Sequence, residues 1–380
     1  MARRRAPAAP SEMDKQHGKG MMGAGDDWSA VKNSERTDRP LPRELVQLLS
    51  RKSDTEAFKR LAVHMCTMVV VGKTILWAVA SSSVVLWAAV PVLVTFQGFL
   101  ISAMGFAMQH ECMHLTAFKT RRLNLIVGFL GSIPAFSFFE HELLMHKDHH
   151  TYTGDPTRDT ELLSGGDIAV GAASKPGYRK VPESRTEYIT SYLRLDGYLQ
   201  RKVQKLVYCA VGKPVDYSAT GWQCFTPHGD VDQPGTPGYR LKVAARLQLM
   251  ATAVCLALYQ NYCGPKSLCL AWLLPMLVGP APVFFLQLHE HADCSMDKNG
   301  LTNTRTTITH PIISYFMWEM GYHAEHHLYT FFPFYQLPRA HKHLQAHLQK
   351  ISSSHTDVNV KAWYEWIPAQ IAGTPLSSTA

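Results

Sequence analysis

Residues 61–109 read LAVHMCTMVVVGKTILWAVASSSVVLWAAVPVLVTFQGFLISAMGFAMQ, and from Thr74 to Gln109 no side chain is charged. One crossing of a bilayer takes about 20 residues, so this stretch supplies two, near 61–80 and 84–107, with Ser81-Ser82-Ser83 as the turn between them. Lys73 falls inside the first, where its stem either snorkels its charge to the boundary or faces protein. A second pair follows at 247–265 and 267–288, parted by a turn over Asn261–Lys266. The near-neutral mean hydropathy of the chain does not conflict with this reading, because polar tails and loops dilute the average. The expected fold is an all-α multi-pass membrane protein with about four transmembrane helices.

The first pair of spans runs into His110-Glu111-Cys112-Met113-His114. Two more clusters follow, His146-Lys147-Asp148-His149-His150 and His323-Ala324-Glu325-His326-His327. Histidines at i, i+3 and i+4 share one face of a helix. Any one of the chain's 19 histidines is best read as a satisfied core or surface residue, but three such boxes beside apolar segments are not. Eight imidazoles are too many for one four-coordinate metal and suit two. Neutral imidazole binds zinc, copper or iron, and the residues alone do not choose among them.

The uncharged run from Leu123 to Phe139 is short and interrupted by Gly131 and Pro134. A full crossing there would put the second box on the opposite side from the first, so a re-entrant or interfacial segment is expected. Lys and Arg number 13 in the first 60 residues, while the two far turns hold only Lys266. The positive-inside rule then turns the boxes and a helical cap toward the cytoplasm. The net charge of +8 is largely this flank, and no nucleic-acid motif accompanies it.

Three regions are expected: a disordered basic tail over 1–40, a membrane domain over 41–350, and a C-terminal tail over 351–380, flexible after Trp366. No secretory signal is seen, and the acidic residues soon after Arg3-Arg4-Arg5 weaken a transit-peptide reading. Residues 41–61 pattern as an amphipathic helix entering the membrane surface. In the polar insertion 151–246, Tyr188, Tyr192, Arg194, Tyr198, Arg201 and Lys205 suit interfacial helices, and 221–238 reads as loop. The eight cysteines form no CxxC pair. Cys66, Cys255 and Cys269 are read as small core residues, and Cys112 as packing within the first box. Reduced thiols fit a site on the cytoplasmic side.

The chain resembles the membrane-bound fatty acid desaturase superfamily, acyl-lipid branch, which also holds alkane hydroxylases and carotenoid ketolases and hydroxylases. Residues 110–118, HECMHLTAF, resemble its first box. Residues 146–162, HKDHHTYTGDPTRDTEL, look like its second box and following loop, and 323–341, HAEHHLYTFFPFYQLPRAH, are similar to its third box and the segment behind it. The resemblance covers roughly 61–350. It implies two iron ions held by the boxes and one further histidine, His291, with His289 as rival. One iron takes His110, His114, His146, His150 and His326, and the other His149, His291, His323 and His327. Gln287 stands where the family holds a water. Glu111, Asp148, Glu290 and Glu325 stand beside ligands, where carboxylates orient imidazoles. Asn303-Thr304-Arg305-Thr306 also resembles bacterial-type desaturases, with no physical role apparent beyond shaping a loop.

The implied activity is an oxygen-dependent desaturation of a fatty acyl chain, acyl-lipid or acyl-CoA. Reduced irons use molecular oxygen to remove hydrogen from an unactivated methylene. Loss of a second hydrogen gives a double bond, whereas return of hydroxyl gives the product of a hydroxylase, so positioning separates the two. No flavin, nicotinamide or HPGG haem signature is present, Pro227-His228-Gly229 included, so electrons are expected from an external donor, cytochrome b5 or ferredoxin with its reductase. A lipid or carotenoid hydroxylase or ketolase is the alternative within the superfamily. From another class, His110-Glu111-Cys112-Met113-His114 fits an intramembrane HExxH zinc protease, in which the other two boxes have no place. A metal carrier would string histidines along the spans rather than gather them at one side. Soluble carboxylate-bridged di-iron proteins need paired Glu-x-x-His motifs, and here only Glu111 and His114 fit. The host membrane, whether endoplasmic reticulum, plastid or bacterial inner membrane, and the position of the double bond stay open.

Overall fold

The computed structural model describes residues 39–154, 159–163, 184–193, 198–213, 230–287, 290–295 and 298–368. The tail 1–38, the stretches 155–158, 164–183, 194–197 and 214–229, residues 288–289 and 296–297, and residues 369–380 lie outside them. Among the described residues three helices are long and apolar enough to cross a membrane: α2 (Asp54–Ala80), α3 (Val84–Met113) and the segment Pro237–Gln287. The last is not one rod. Gly264 has φ 79° and ψ 161°, and the rings of Tyr259 and Trp272 stand 5.3 Å apart. Thirteen residues of continuous helix would separate them by about 20 Å. The chain therefore doubles back at Gly264 into two legs, α9 (Pro237–Ser267) and α10 (268–287), within the turn expected over 261–266. The helices cover the apolar runs but overrun them, α2 beginning at Asp54, α3 ending at Met113 and α9 beginning at Pro237.

The outer faces of these legs carry the signature of an apolar solvent. Val70, Trp77, Val84, Val85, Val92, Val254 and Leu258 are all exposed, a continuous display that a water-facing surface rarely carries. Lys73 is exposed on that face. Cys66 and Cys269 are exposed as well, which corrects their reading as core residues. Inside the bundle α3 and α10 cross at two glycines. A methyl on Gly98 would stand 2.2 Å from the Pro275 carbonyl oxygen, so only the absence of a side chain permits this approach.

The run between the first two boxes is not one straight helix. It forms α4 (Arg121–Ser132) and α5 (Phe139–Tyr152), and the pair is bent by 108° around Phe136, whose backbone is left-handed at φ 52°. This returns the second box toward the first.

The N-terminal approach differs from a single amphipathic helix over 41–61. A short α1 (Arg43–Leu49) is separate from α2. The reason is Ser53-Asp54-Thr55-Glu56, a capping-box sequence that starts a new helix: Ser53 Oγ accepts the Glu56 N–H at 3.3 Å, while the Ser53 N–H is taken by the Tyr335 hydroxyl. Leu49 of α1 is fully buried in one cluster with Leu328, Tyr329, Phe332 and Leu337, so α1 packs on the third box and the segment behind it. Arg60, in the second turn of α2, donates to the Tyr315 carbonyl and to Glu319 Oε1 at 2.9 Å. It thereby pins the left-handed Trp318–Glu319 corner that leads into the third box.

The insertion contributes α6 (Thr160–Leu163), α7 (Arg185–Tyr192) and α8 (Tyr198–Ala210). It is clipped to α5 by Lys205 Nζ–Glu142 Oε1 and Arg240 Nη2–Glu140 Oε1, both at 2.7 Å. Lys205 and Tyr188 are buried, against their reading as interfacial residues. Arg194 and the side chains of Tyr192, Tyr198 and Arg201 lie outside the described residues. The folded body also extends past residue 350. Strand β1 (Thr306–Thr307) pairs in parallel with β2 (Ile351–Ser352), and the helix His355–Lys361, continued to Trp366, packs on Tyr188, Phe284 and Ala292.

Candidate metal centre

The turn at Ser81–Ser83 and the break at Gly264 stand at the opposite ends of their legs from the histidines. At the near end nine histidines meet in two groups. His110, His114, His146, His150 and His326 form one, and His149, His291, His323 and His327 the other. Within each group one nitrogen per residue lies within 4.8 Å of every other. Box one ends α3, box two lies on the last two turns of α5, and box three opens a short helix, α11 (His323–Leu328). His291 follows α10 directly, and His289 lies outside the described residues.

Each box divides according to helical spacing. His146 and His150, four apart, face the first group, while His149 turns to the second. His323 and His327, again four apart, face the second, while His326 turns to the first.

In the first group the Nε2 atoms close a circuit: His114 to His146 2.8 Å, His146 to His150 2.8 Å, His150 to His326 3.3 Å and His326 to His114 3.2 Å. Two nitrogens about 2.1 Å from one ion and at right angles to it are about 3 Å apart. The circuit therefore has the dimensions of a ligand ring. His110 is the fifth member, fully enclosed, and neither of its ring nitrogens has a hydrogen-bond partner. In the second group His323 Nε2 stands 3.2 Å from His291 Nε2 and 3.1 Å from His327 Nε2, and the buried His149 Nε2 has no hydrogen bond. Burial, and then repulsion from neighbouring imidazoles, holds His146 and His150 neutral well below the usual histidine range. Neutral imidazole is the form that ligates. So many lone pairs converging without protons to share fit a pair of divalent metals, iron included.

The carboxylates beside the boxes behave differently from expectation. Glu111 Oε2 accepts from Thr116 Oγ1 at 2.9 Å and from the Phe334 N–H at 3.2 Å, while its other oxygen is 3.7 Å from His110 Nδ1. It ties box one to the segment behind box three and orients no ligand by a hydrogen bond. Glu325 accepts from Thr306 Oγ1 and pairs with His341 Nδ1, both at 2.5 Å, so it too faces away from the ligands. Glu290 does lie beside one, with Oε2 3.6 Å from His323 Nε2. Asp148 and Gln287 are half-buried.

The groups that do hold ligand rings were not picked out from the sequence. Asp159 Oδ1 accepts from His149 Nδ1 at 2.9 Å, and both side chains are fully buried. The Asn303 carbonyl accepts from His291 Nδ1 at 3.1 Å. This gives the 303–306 stretch its role: Asn303 fixes a ligand, Arg305 N–H bonds the Glu290 carbonyl at 2.8 Å, and Thr306 holds Glu325. Glu161 Oε1 stands 3.6 Å from His149 Nε2 and 3.9 Å from His146 Nδ1. The only available signal was the carboxylate-rich loop just after box two. Cys112 is buried with its sulfur 3.6 Å from Met108 Sδ and belongs to neither group.

The family described as fatty acid desaturase matches residues 85–358, a range that holds all nine histidines and most of the chain. The chain belongs to this family. Among curated proteins none matches it significantly. Membership makes the chain an oxidoreductase of the desaturase superfamily, with helices apolar enough to cross a membrane and histidine groups fit for metal.

Proposed function

We propose that the protein is an oxygen-dependent fatty acid desaturase acting on an acyl-lipid or acyl-CoA at the cytoplasmic membrane face. The observation that carries this reading is the meeting of nine histidines, in groups of five and four, where the apolar legs end. His110, His114, His146, His150 and His326 would hold one iron, and His149, His291, His323 and His327 the other. Such a pair, when bound, supplies the oxidising power to remove hydrogen from an unactivated methylene, given molecular oxygen and two external electrons.

The chain's own residues provide enclosure and alignment. A small cleft lined by Leu286, Ile313, Met317 and Met320, and on its polar side by Arg305, Thr307 and His355, reaches His323 and Glu290. The second group has one histidine fewer, and Gln287, four residues before His291, is placed in sequence to hold a water there. Electrons would come from cytochrome b5 or ferredoxin with its reductase. A hydroxylase or ketolase would use the same ligands with a different alignment. The protease reading needs Glu111 free to activate water, and one of its oxygens is committed to Thr116 and Phe334.

The test is expression in a desaturase-deficient host with lipid profiling, beside a His326→Ala variant. A new unsaturated fatty acid that vanishes in the variant supports the reading. A hydroxylated or ketolated product moves the protein to that branch, and no lipid change overturns the proposal. Losing a direct ligand is expected to lower product by more than about 100-fold, since even an outer partner of a ligand is worth about 10–100-fold in metal affinity or activity.

A further inference from the structure

Most contacts around the two groups join histidine to histidine, and among the described residues a fully buried carboxylate hydrogen-bonds a candidate ligand at one place, Asp159. Its Oδ1 receives the His149 Nδ1 proton at 2.9 Å and the Glu161 N–H at 3.0 Å, while Oδ2 receives the Gly154 N–H at 2.8 Å. Asp159 has no exposed surface, and neither does His149. A carboxylate only accepts, so the imidazole proton is kept on Nδ1 and the Nε2 lone pair is left for the group it faces. That Nε2 is buried without a hydrogen bond.

The position of His149 makes this contact selective. His291, His323 and His327 all come from the C-terminal half, and His149 alone closes the second group from the N-terminal half. His146 and His150, on the same helix, serve the first group, and Asp159 makes no hydrogen bond to either. We propose that Asp159 is the positioning residue of the second metal group, fixing the tautomer and ring of His149 so that this group closes across the two halves of the chain. This rests on the reading of the two groups as metal sites. A purely structural role is the rival: through Gly154 and Glu161 the same carboxylate ties the loop after α5, and loosening that loop would disturb both groups equally.

Metal content separates the two. Full-length protein is purified in detergent as wild type, Asp159→Asn and Asp159→Ala, loaded with 57Fe and challenged with a chelator. Iron per chain and Mössbauer spectra are then recorded. The wild type should hold two irons, and a wild type without them sinks the metal reading itself, independently of Asp159. In Asp159→Ala one iron should be retained with an unchanged spectral component, while the other binds about 10–100-fold more weakly. Asp159→Asn keeps an oxygen acceptor but not the charge and should fall between. Unchanged occupancy of both sites overturns the proposal. So does parallel loss of both irons in Asp159→Asn, whether that protein stays monodisperse or unfolds.

Discussion

At the residue scale, a carboxylate next to a ligand in sequence is a poor guide to one next to it in space. Successive helical side chains are turned about 100° apart, so Glu111, one after His110, and Glu325, two after His323, point away from the faces that carry the rings. They brace the boxes from behind. Glu111→Gln is therefore expected to keep both metals and at least about a tenth of the activity while costing about 1–3 kcal/mol of stability for a disturbed buried polar group. Metal analysis and thermal unfolding check this, and loss of all activity with metal retained would restore a general-base role. A second prediction concerns His355, buried beside the cleft with its Nδ1 unpartnered. Burial pushes its imidazole down to about 4, while the unfolded chain binds a proton near 6.5. Between those values the unfolded state holds more protons, so stability contributed by neutral His355 is full above about pH 6.5 and falls toward pH 4. His355→Gln should flatten that part of the unfolding-temperature profile relative to wild type.

At the element scale, the apolar runs gave spans and turns directly, because lipid-facing length and the absence of charge are properties of local sequence. The break between α1 and α2 was also written there, in the Ser53–Glu56 capping box, but amphipathic periodicity on both sides masked it. The bend of α4 against α5 followed from parity alone. What local sequence did not carry was the closeness of α3 and α10. It depends on Gly98 meeting Gly279, 181 positions along the chain, each ordinary by itself. Gly98→Leu should destabilise the bundle by at least about 1–3 kcal/mol, the cost of overpacking, read as a lowered unfolding temperature in detergent. Gly264→Leu, in open space but left-handed, should act through backbone strain instead and perturb the far turn rather than the site.

At the scale of the whole molecule, the positive flank and the single lysine of the far turns set an orientation that labelling can check. Cys263 is exposed beside the Gly264 break. In a variant with Cys263 as sole cysteine, an impermeant maleimide should react from the side opposite the cytoplasm, and reaction from the cytoplasmic side would invert the topology. The sequence by itself determined the membrane class and that the eight box histidines gather, and the family resemblance added His291 and the division into five and four. Helical spacing and apolar length are local, and they survive whatever the rest of the chain does. Only the tertiary structure decided which groups hold the ligand rings, how the folded body extends through 351–367, and why 303–306 matters. Those contacts join residues from 10 to about 170 positions apart, and their partners are set by packing rather than by any periodicity along the chain.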